Sequence, residues 1–296
     1  MIAELFAIIA PIFITTLVGF CWGKSGEAYP ADFVSKLVMN IGSPCLILGT
    51  LSKVHVDPAV MGQVAFASFC CLFVIGLLGY IIFRFLRWDI PTFLPAVLLP
   101  NNGNMGLPLS LFAFGQLGLA YALGSFMVMM VITFTFGLWL VADSSQGVRH
   151  RIKTVLQQPV IYATLIAAVI LATESTLPKW LNNTLDLLGA FSIPLMTITL
   201  GVSLAKLKIT TWKKSLFVSC LRVVGGFLIA GVICDLLNLQ SVERSVVILQ
   251  SAMPLAVFNY MLAVRFKRDA EQVAAMVVVS TLMSFISLPF LLWILL

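Results

Sequence analysis

Three asparagines stand close together in the middle of a long apolar stretch of the chain: Asn101, Asn102 and Asn104. Their amides can donate hydrogen bonds to a carboxylate or offer carbonyl oxygens to a cation. Gly103 lies between them and Pro108 follows, so the backbone here is poorly suited to a continuous helix. We expect these amides to bind a small solute; the alternative is that they only satisfy a broken backbone.

A second apolar stretch carries Gln250, Ser251, Pro254 and Asn259 near its centre. Pro254 leaves the carbonyl of Gln250 without its usual helical donor. We predict that both stretches are broken near the middle, and that a second half-helix begins near Pro108 in one and near Pro254 in the other. A helix N-terminus has unpaired N–H groups and about half a positive charge, so it attracts carboxylates. The alternative for lone polar residues is that they serve helix contacts alone.

Three more residues are candidates for a role beside these breaks. Arg222 is a charge inside another apolar stretch, and such charges are functional candidates by default. It can act as a counter-charge for an anion, or it can extend towards the cytoplasmic face of the membrane. Pro44 and Pro194 are predicted to kink their helices next to the site, or to be purely structural.

These residues belong to a chain whose solvent is mostly lipid. Of its 296 residues, 60% are hydrophobic and 10% are charged, whereas a soluble domain carries about 25% charged residues. A membrane-spanning helix needs about 20 apolar residues, and the alternation typical of membrane β-strands is absent. We therefore predict an all-α polytopic membrane protein with ten transmembrane helices. Its ten apolar stretches lie at about 3–22, 33–52, 60–83, 92–114, 119–142, 155–173, 183–205, 213–236, 243–264 and 271–295.

The basic residues predict an orientation. Fourteen of the eighteen Lys and Arg residues lie at connections that follow odd-numbered stretches, and three follow even-numbered ones. Because cytoplasmic loops gather Lys and Arg, both termini are expected outside the cytoplasm. These loops also explain the basic charge, so no nucleic-acid partner is expected. We find no metal-ligand spacing, nucleotide-binding loop or catalytic cluster, so we expect no metal, no cofactor and no enzymatic activity.

The chain divides into two similar halves of five stretches each. Proline recurs at corresponding places, as Pro11 and Pro159, Pro44 and Pro194, and Pro108 and Pro254. A five-span unit repeated in tandem must reverse its orientation in the membrane, which gives the inverted repeat common in secondary transporters. The predicted units are 1–145 and 155–296, joined by a cytoplasmic linker at 146–154.

The string NNGNMGLPL at 101–109 resembles the signature of the auxin efflux carrier family, which includes plant auxin exporters and bacterial malate and malonate carriers. Many members have Asn-Ser or Asn-Thr where this chain has Asn101-Asn102. The chain lacks the long loop of plant members, so it is similar to the compact bacterial type, found in the inner membrane. The resemblance implies that spans 4 and 9 cross at their prolines, placing Asn101, Asn102, Asn104, Pro108 and Pro254 at the crossover. It also implies scaffold and transport subdomains, an elevator-like motion, organic anion substrates and homodimers.

The leading hypothesis is a secondary carrier of small organic anions, such as dicarboxylates or an auxin-like acid, that works by alternating access in a lipid bilayer. A cation/proton antiporter or a sodium-coupled carrier on the same fold is the main alternative, followed by a channel and an intramembrane enzyme. No Asp or Glu occupies a mid-span position, which counts against proton exchange. The sequence leaves the coupling ion, Na⁺ or H⁺, open.

Overall fold

The computed structural model describes residues 2–54, 56–141, 156–173, 175–207 and 211–296. Within these residues every secondary-structure element longer than a single bridge is a helix. The predicted linker at 146–154 lies outside the described residues. In chain order the helices are α1 Ile2–Ser25, α2 Ala31–Leu51, α3 Pro58–Phe85, α4 Ile90–Leu98, α5 Asn102–Gly137, α6 Pro159–Thr173, α7 Lys179–Lys206, α8 Trp212–Leu236, α9 Ser241–Ser251, α10 Phe258–Arg265 and α11 Ala270–Leu295.

Seven of these helices, within the described residues, are long and apolar enough to cross a membrane: α1, α2, α3, α5, α7, α8 and α11. The structure therefore confirms an all-helical, multi-pass membrane protein. The shorter helices α4, α9 and α10 have 9, 11 and 8 residues. They fall in the two stretches that were predicted to be broken.

The predicted fourth and fifth spans meet at a sharp kink, which divides α5 into two helical arms. In α5 the chain turns at Gly115, whose φ of 66° lies in the left-handed region. Glycine adopts this conformation without a steric penalty, so the bend needs no loop. We call residues 102–114 the first arm of α5. The connection expected between 114 and 119 is thereby reduced to the single non-helical residue Gly115.

The helices pack as two groups. In the first group α1 and α2 both pack on α7, and α2 also packs on α6. In the second group α3 packs on α4, α5 and α8, while α9 packs on α5 and α8, and α11 packs on α8 and α10. The closest contact in the first group is at Gly201 of α7, where a Cβ would collide with the carbonyl oxygen of Thr16 in α1. Small residues of this kind let membrane helices approach backbone to backbone.

Both prolines predicted to kink helices follow an irregular turn. The residues Val38–Gly42 of α2 form a π-helical turn, and Pro44 lies two residues later. In α7 the helix is interrupted at Phe191, three residues before Pro194. Proline cannot donate to the preceding turn, so a local change of pitch removes the conflict.

Candidate functional site

The two helix breaks lie side by side and pair with each other. The Asn101 N–H donates to the Pro254 carbonyl at 2.7 Å, and the Ala256 N–H donates to the Leu99 carbonyl at 3.1 Å. These bonds form an isolated antiparallel bridge between Pro100 and Leu255. Unpaired backbone groups are costly in a membrane, so each break supplies the partners that the other needs.

The starts of the two half-helices agree with the prediction to different extents. The first break is followed by a π-helical turn at Asn102–Gly106, and the α-helical part begins at Leu107 with Pro108 in its first turn. Pro254 lies inside the second break, and α10 begins only at Phe258. A half-helix start near Pro108 is therefore confirmed for the α-helical part, whereas the second half-helix begins one turn beyond Pro254. The extended pairing of the second break with the first occupies the residues around Pro254 and moves the start of α10 away from it.

The asparagine cluster opens the first arm of α5. Asn101 and Asn102 are each only 3% exposed, while Gly103 and Asn104 are half-buried. Among the described residues, the Asn101 Nδ2 and the Asn102 Oδ1 have no hydrogen-bond partner. A buried polar atom without a partner costs about 1–3 kcal/mol, so these two amides are suited to bind a solute or a water molecule.

The polar residues of the other break support the crossover. The Asn259 Nδ2 donates to the Leu99 carbonyl at 3.0 Å and to the Ala256 carbonyl at 3.1 Å. The Gln250 Nε2 donates to the Ser110 Oγ at 3.0 Å, which ties α9 to the first arm of α5. Both amides use their donors on the protein itself, whereas the Gln250 Oε1 and the Asn259 Oδ1 are buried without a hydrogen-bond partner among the described residues.

Arg222 lies in the protein interior instead of extending to the membrane surface. Its side chain is 1% exposed. The guanidinium donates from Nη1 to the Val97 carbonyl at 3.0 Å, from Nη2 to the Ser251 carbonyl at 2.7 Å and from Nε to the Met253 carbonyl at 3.3 Å. Val97 is near the end of α4 and Ser251 ends α9, so this arginine joins the C-terminal ends of two half-helices. Its predicted role as a counter-charge for an anion stays a prediction.

Charge is scarce around the crossover. Arg222 is the one charged side chain that is buried among the described residues, and no Asp or Glu of that part is buried. The N-terminal ends of α10 and of the first arm of α5 therefore face no buried carboxylate of the described chain. Their partial positive charge is therefore not neutralised by a buried acidic side chain of the described residues.

A cavity of about 580 Å³ opens where the two helix groups meet. It is lined by α2, α7 and the bend of α5, and it includes Pro194 and Leu111, which is one turn beyond Pro108. The asparagines do not line it. At its rim Lys53 and Asp186 form an ion pair between α2 and α7. Sequence analysis missed these two residues; the one signal was a lysine in an even-numbered connection, where few basic residues occur.

The fold, the paired helix breaks and the cavity are typical of a membrane transporter. The family model described as membrane transport protein matches residues 5–292. The chain therefore belongs to this family, the auxin efflux carrier and malate-carrier type indicated by the asparagine motif.

Two archaeal proteins are similar over nearly their full length. An uncharacterized transporter of Methanocaldococcus jannaschii is 24% identical, with 96% of this chain and 97% of the relative covered. An uncharacterized transporter of Methanothermobacter thermautotrophicus is 26% identical, with 94% of each chain covered.

Proposed function

We propose that this protein is a secondary carrier of small organic anions and not an enzyme, and that it binds the carboxylate of its substrate beside the crossover. The observation that carries the proposal is an asymmetry of charge. The C-terminal ends of α4 and α9 are occupied by Arg222, whereas the N-terminal ends of the other two half-helices have no buried acidic residue near them in the described chain. Helix N-termini attract carboxylates through their partial positive charge.

The packing supports ten spans arranged as an inverted repeat. If residues 1–145 and 155–296 are equivalent, α1 on α7 should match α6 on α2, and α3 on α4 should match α8 on α9. All four contacts occur. The broken pairs, α4 with the first arm of α5 and α9 with α10, then count as spans 4 and 9. Two halves of opposite orientation provide a simple route to alternating access.

The two helix groups suggest which parts move. We propose that α1, α2, α6 and α7 form a scaffold and that the remaining helices form the transport unit, as in an elevator. The cavity lies between α2 and α7 on one side and α5 on the other, which is where a moving unit would present its substrate. The rim residues Lys53 and Gln116 lie in even-numbered connections, and Asp186 lies in the first turn of the seventh predicted span, next to such a connection. We therefore propose that this opening is on the non-cytoplasmic side of the cell membrane.

The cavity also restricts the substrate. Its volume suits a small molecule, and many of its lining residues are aliphatic, among them Leu46, Val54, Leu119 and Leu185. Two half-helix N-termini supply about one positive charge together. We therefore favour a monocarboxylate with an apolar body over a dicarboxylate. Proton exchange through a buried carboxylate is not favoured, because no buried Asp or Glu is found among the described residues.

Uptake by proteoliposomes tests this function. The purified protein should accumulate radiolabelled indole-3-acetate, and malonate more weakly, with uptake inhibited by an excess of the unlabelled acid. Replacing Asn104 with Leu should reduce the apparent affinity by about tenfold or more, as expected for the loss of a hydrogen bond to a charged group. The matched control is Asn183→Leu, at an exposed position of α7, which should transport normally. Unchanged uptake in the Asn104 variant would refute the site assignment.

A further inference from the structure

Arg222 occupies a place where a mobile cation could otherwise bind. In transporters with broken helices, unwound carbonyls and half-helix C-termini commonly coordinate a coupling cation such as Na⁺. Here the carbonyls of Val97, Ser251 and Met253 converge on one point, and that point holds the guanidinium of Arg222. Each of these three carbonyls accepts a hydrogen bond of normal length from the guanidinium. The carbonyls therefore already have a partner within the chain.

The charges balance at this end of the crossover. Each half-helix C-terminus carries about half a negative charge, so α4 and α9 contribute about one negative charge between them. Arg222 contributes one positive charge, and no carboxylate of the described residues forms an ion pair with it. An additional cation at the same carbonyls would be repelled by the guanidinium and would have to displace its hydrogen bonds.

The backbone of α8 is shaped to bring the arginine to this point. Gly226 lies one turn beyond Arg222, on the same side of the helix. A Cβ at Gly226 would collide with the Ser251 carbonyl oxygen, so α8 can approach the end of α9 only because this residue has no side chain. Two separate features of α8, a small residue and a long cationic one, thus serve the same contact.

We propose that Arg222 is a built-in counter-cation that replaces a coupling cation at the crossover, so that the protein moves its substrate without sodium. That the protein moves a substrate rests on the proposed function, but the absence of a sodium site at the crossover can be tested without any anion. It assigns Arg222 a positioning role: it holds the C-terminal ends of α4 and α9 together and leaves the opposite, positive ends free for an anion.

The first experiment measures sodium binding by the wild-type protein in detergent, with no anionic substrate present. We expect no saturable binding of radioactive sodium, and a melting temperature that changes by no more than about 1 °C when sodium chloride replaces choline chloride. Saturable sodium binding accompanied by a clear rise in melting temperature would overturn the proposal. A failure of anion uptake would refute the proposed function and would leave this result unaffected.

The second experiment removes the built-in cation. Arg222→Ala should lower the melting temperature in choline chloride by about 5–10 °C, and millimolar guanidinium should restore part of the loss while having no such effect on the wild type. Arg222→Lys keeps the charge and should stay insensitive to sodium. If Arg222→Ala does not fold, the lysine variant and the wild-type measurement still decide the matter. An alanine variant that melts like the wild type in choline chloride, or a sodium-stabilised lysine variant, would contradict the inference.

Discussion

At the scale of single residues, the polar groups of the crossover fall into two classes. The Asn259 amide donates to two backbone carbonyls, so it holds the breaks in place. The Asn101 Nδ2 and Asn102 Oδ1 have no partner among the described residues, and the side chain of Asn104 is half-buried beside them. The Asn259 Oδ1 is also without a partner, so what distinguishes Asn259 is that its Nδ2 holds two backbone carbonyls of the crossover.

This division predicts opposite outcomes for two similar variants. Asn259→Leu should lower the free energy of unfolding by about 1–3 kcal/mol, because the Leu99 and Ala256 carbonyls each lose a hydrogen bond in a buried site. Asn104→Leu should weaken anion binding with little effect on stability. Melting curves of both variants in the same detergent, beside anion binding measurements, would separate the two roles. Equal melting temperatures for the two proteins would show that Asn259 is not structural.

At the scale of elements, sequence reasoning located both breaks and the α-helical start beside Pro108, but not the start of α10. Proline, glycine and asparagine mark an interrupted helix because each changes the backbone locally. The pairing that fixes the ends joins Leu99 with Ala256 and Asn101 with Pro254. These partners are far apart in the chain, and the sequence of either break carries no sign of the other. Arg222 shows the same limit: its place in an apolar stretch is visible in the sequence, but neither its burial nor the three carbonyls that receive its hydrogen bonds could be predicted.

The contact between α1 and α7 gives a test at this scale. Gly201→Leu should destabilise the protein strongly, because the new side chain must displace the Thr16 carbonyl of the neighbouring helix. We expect a fall of about 5 °C or more in melting temperature, typical of overpacking at a close helix contact. Gly62→Leu is the matched control, since a Cβ there meets no atom within 4 Å. A similar small effect in both variants would mean that α1 and α7 are not tightly packed.

At the scale of the whole molecule, the packing divides the helices into a proposed scaffold and a proposed transport unit. The two groups touch through α5, which contacts α1, α2, α6 and α7. They also touch through the edge-to-face pair of Phe13 in α1 and Phe285 in α11, with ring centroids 5.3 Å apart. By contrast, α2 and α7 are tied within one group by the Ser52 hydroxyl, which donates to the Asn182 Oδ1 at 3.0 Å. An elevator requires the contact of Phe13 with Phe285 to break during transport and that of Ser52 with Asn182 to persist.

Cysteine cross-linking distinguishes these two contacts. In a Phe13→Cys/Phe285→Cys variant, a short bifunctional thiol reagent should reduce anion uptake to a small fraction of its starting rate, and cleavage of the linker should restore it. The same reagent on a Ser52→Cys/Asn182→Cys variant should form the cross-link and leave uptake nearly unchanged, because both helices belong to the proposed scaffold. Treatment of the wild type reports any effect of its own cysteines, among them the exposed Cys21. Full uptake by the cross-linked α1–α11 protein would exclude a sliding motion between these groups, and a carrier of this fold would then need gates that open and close around a fixed site.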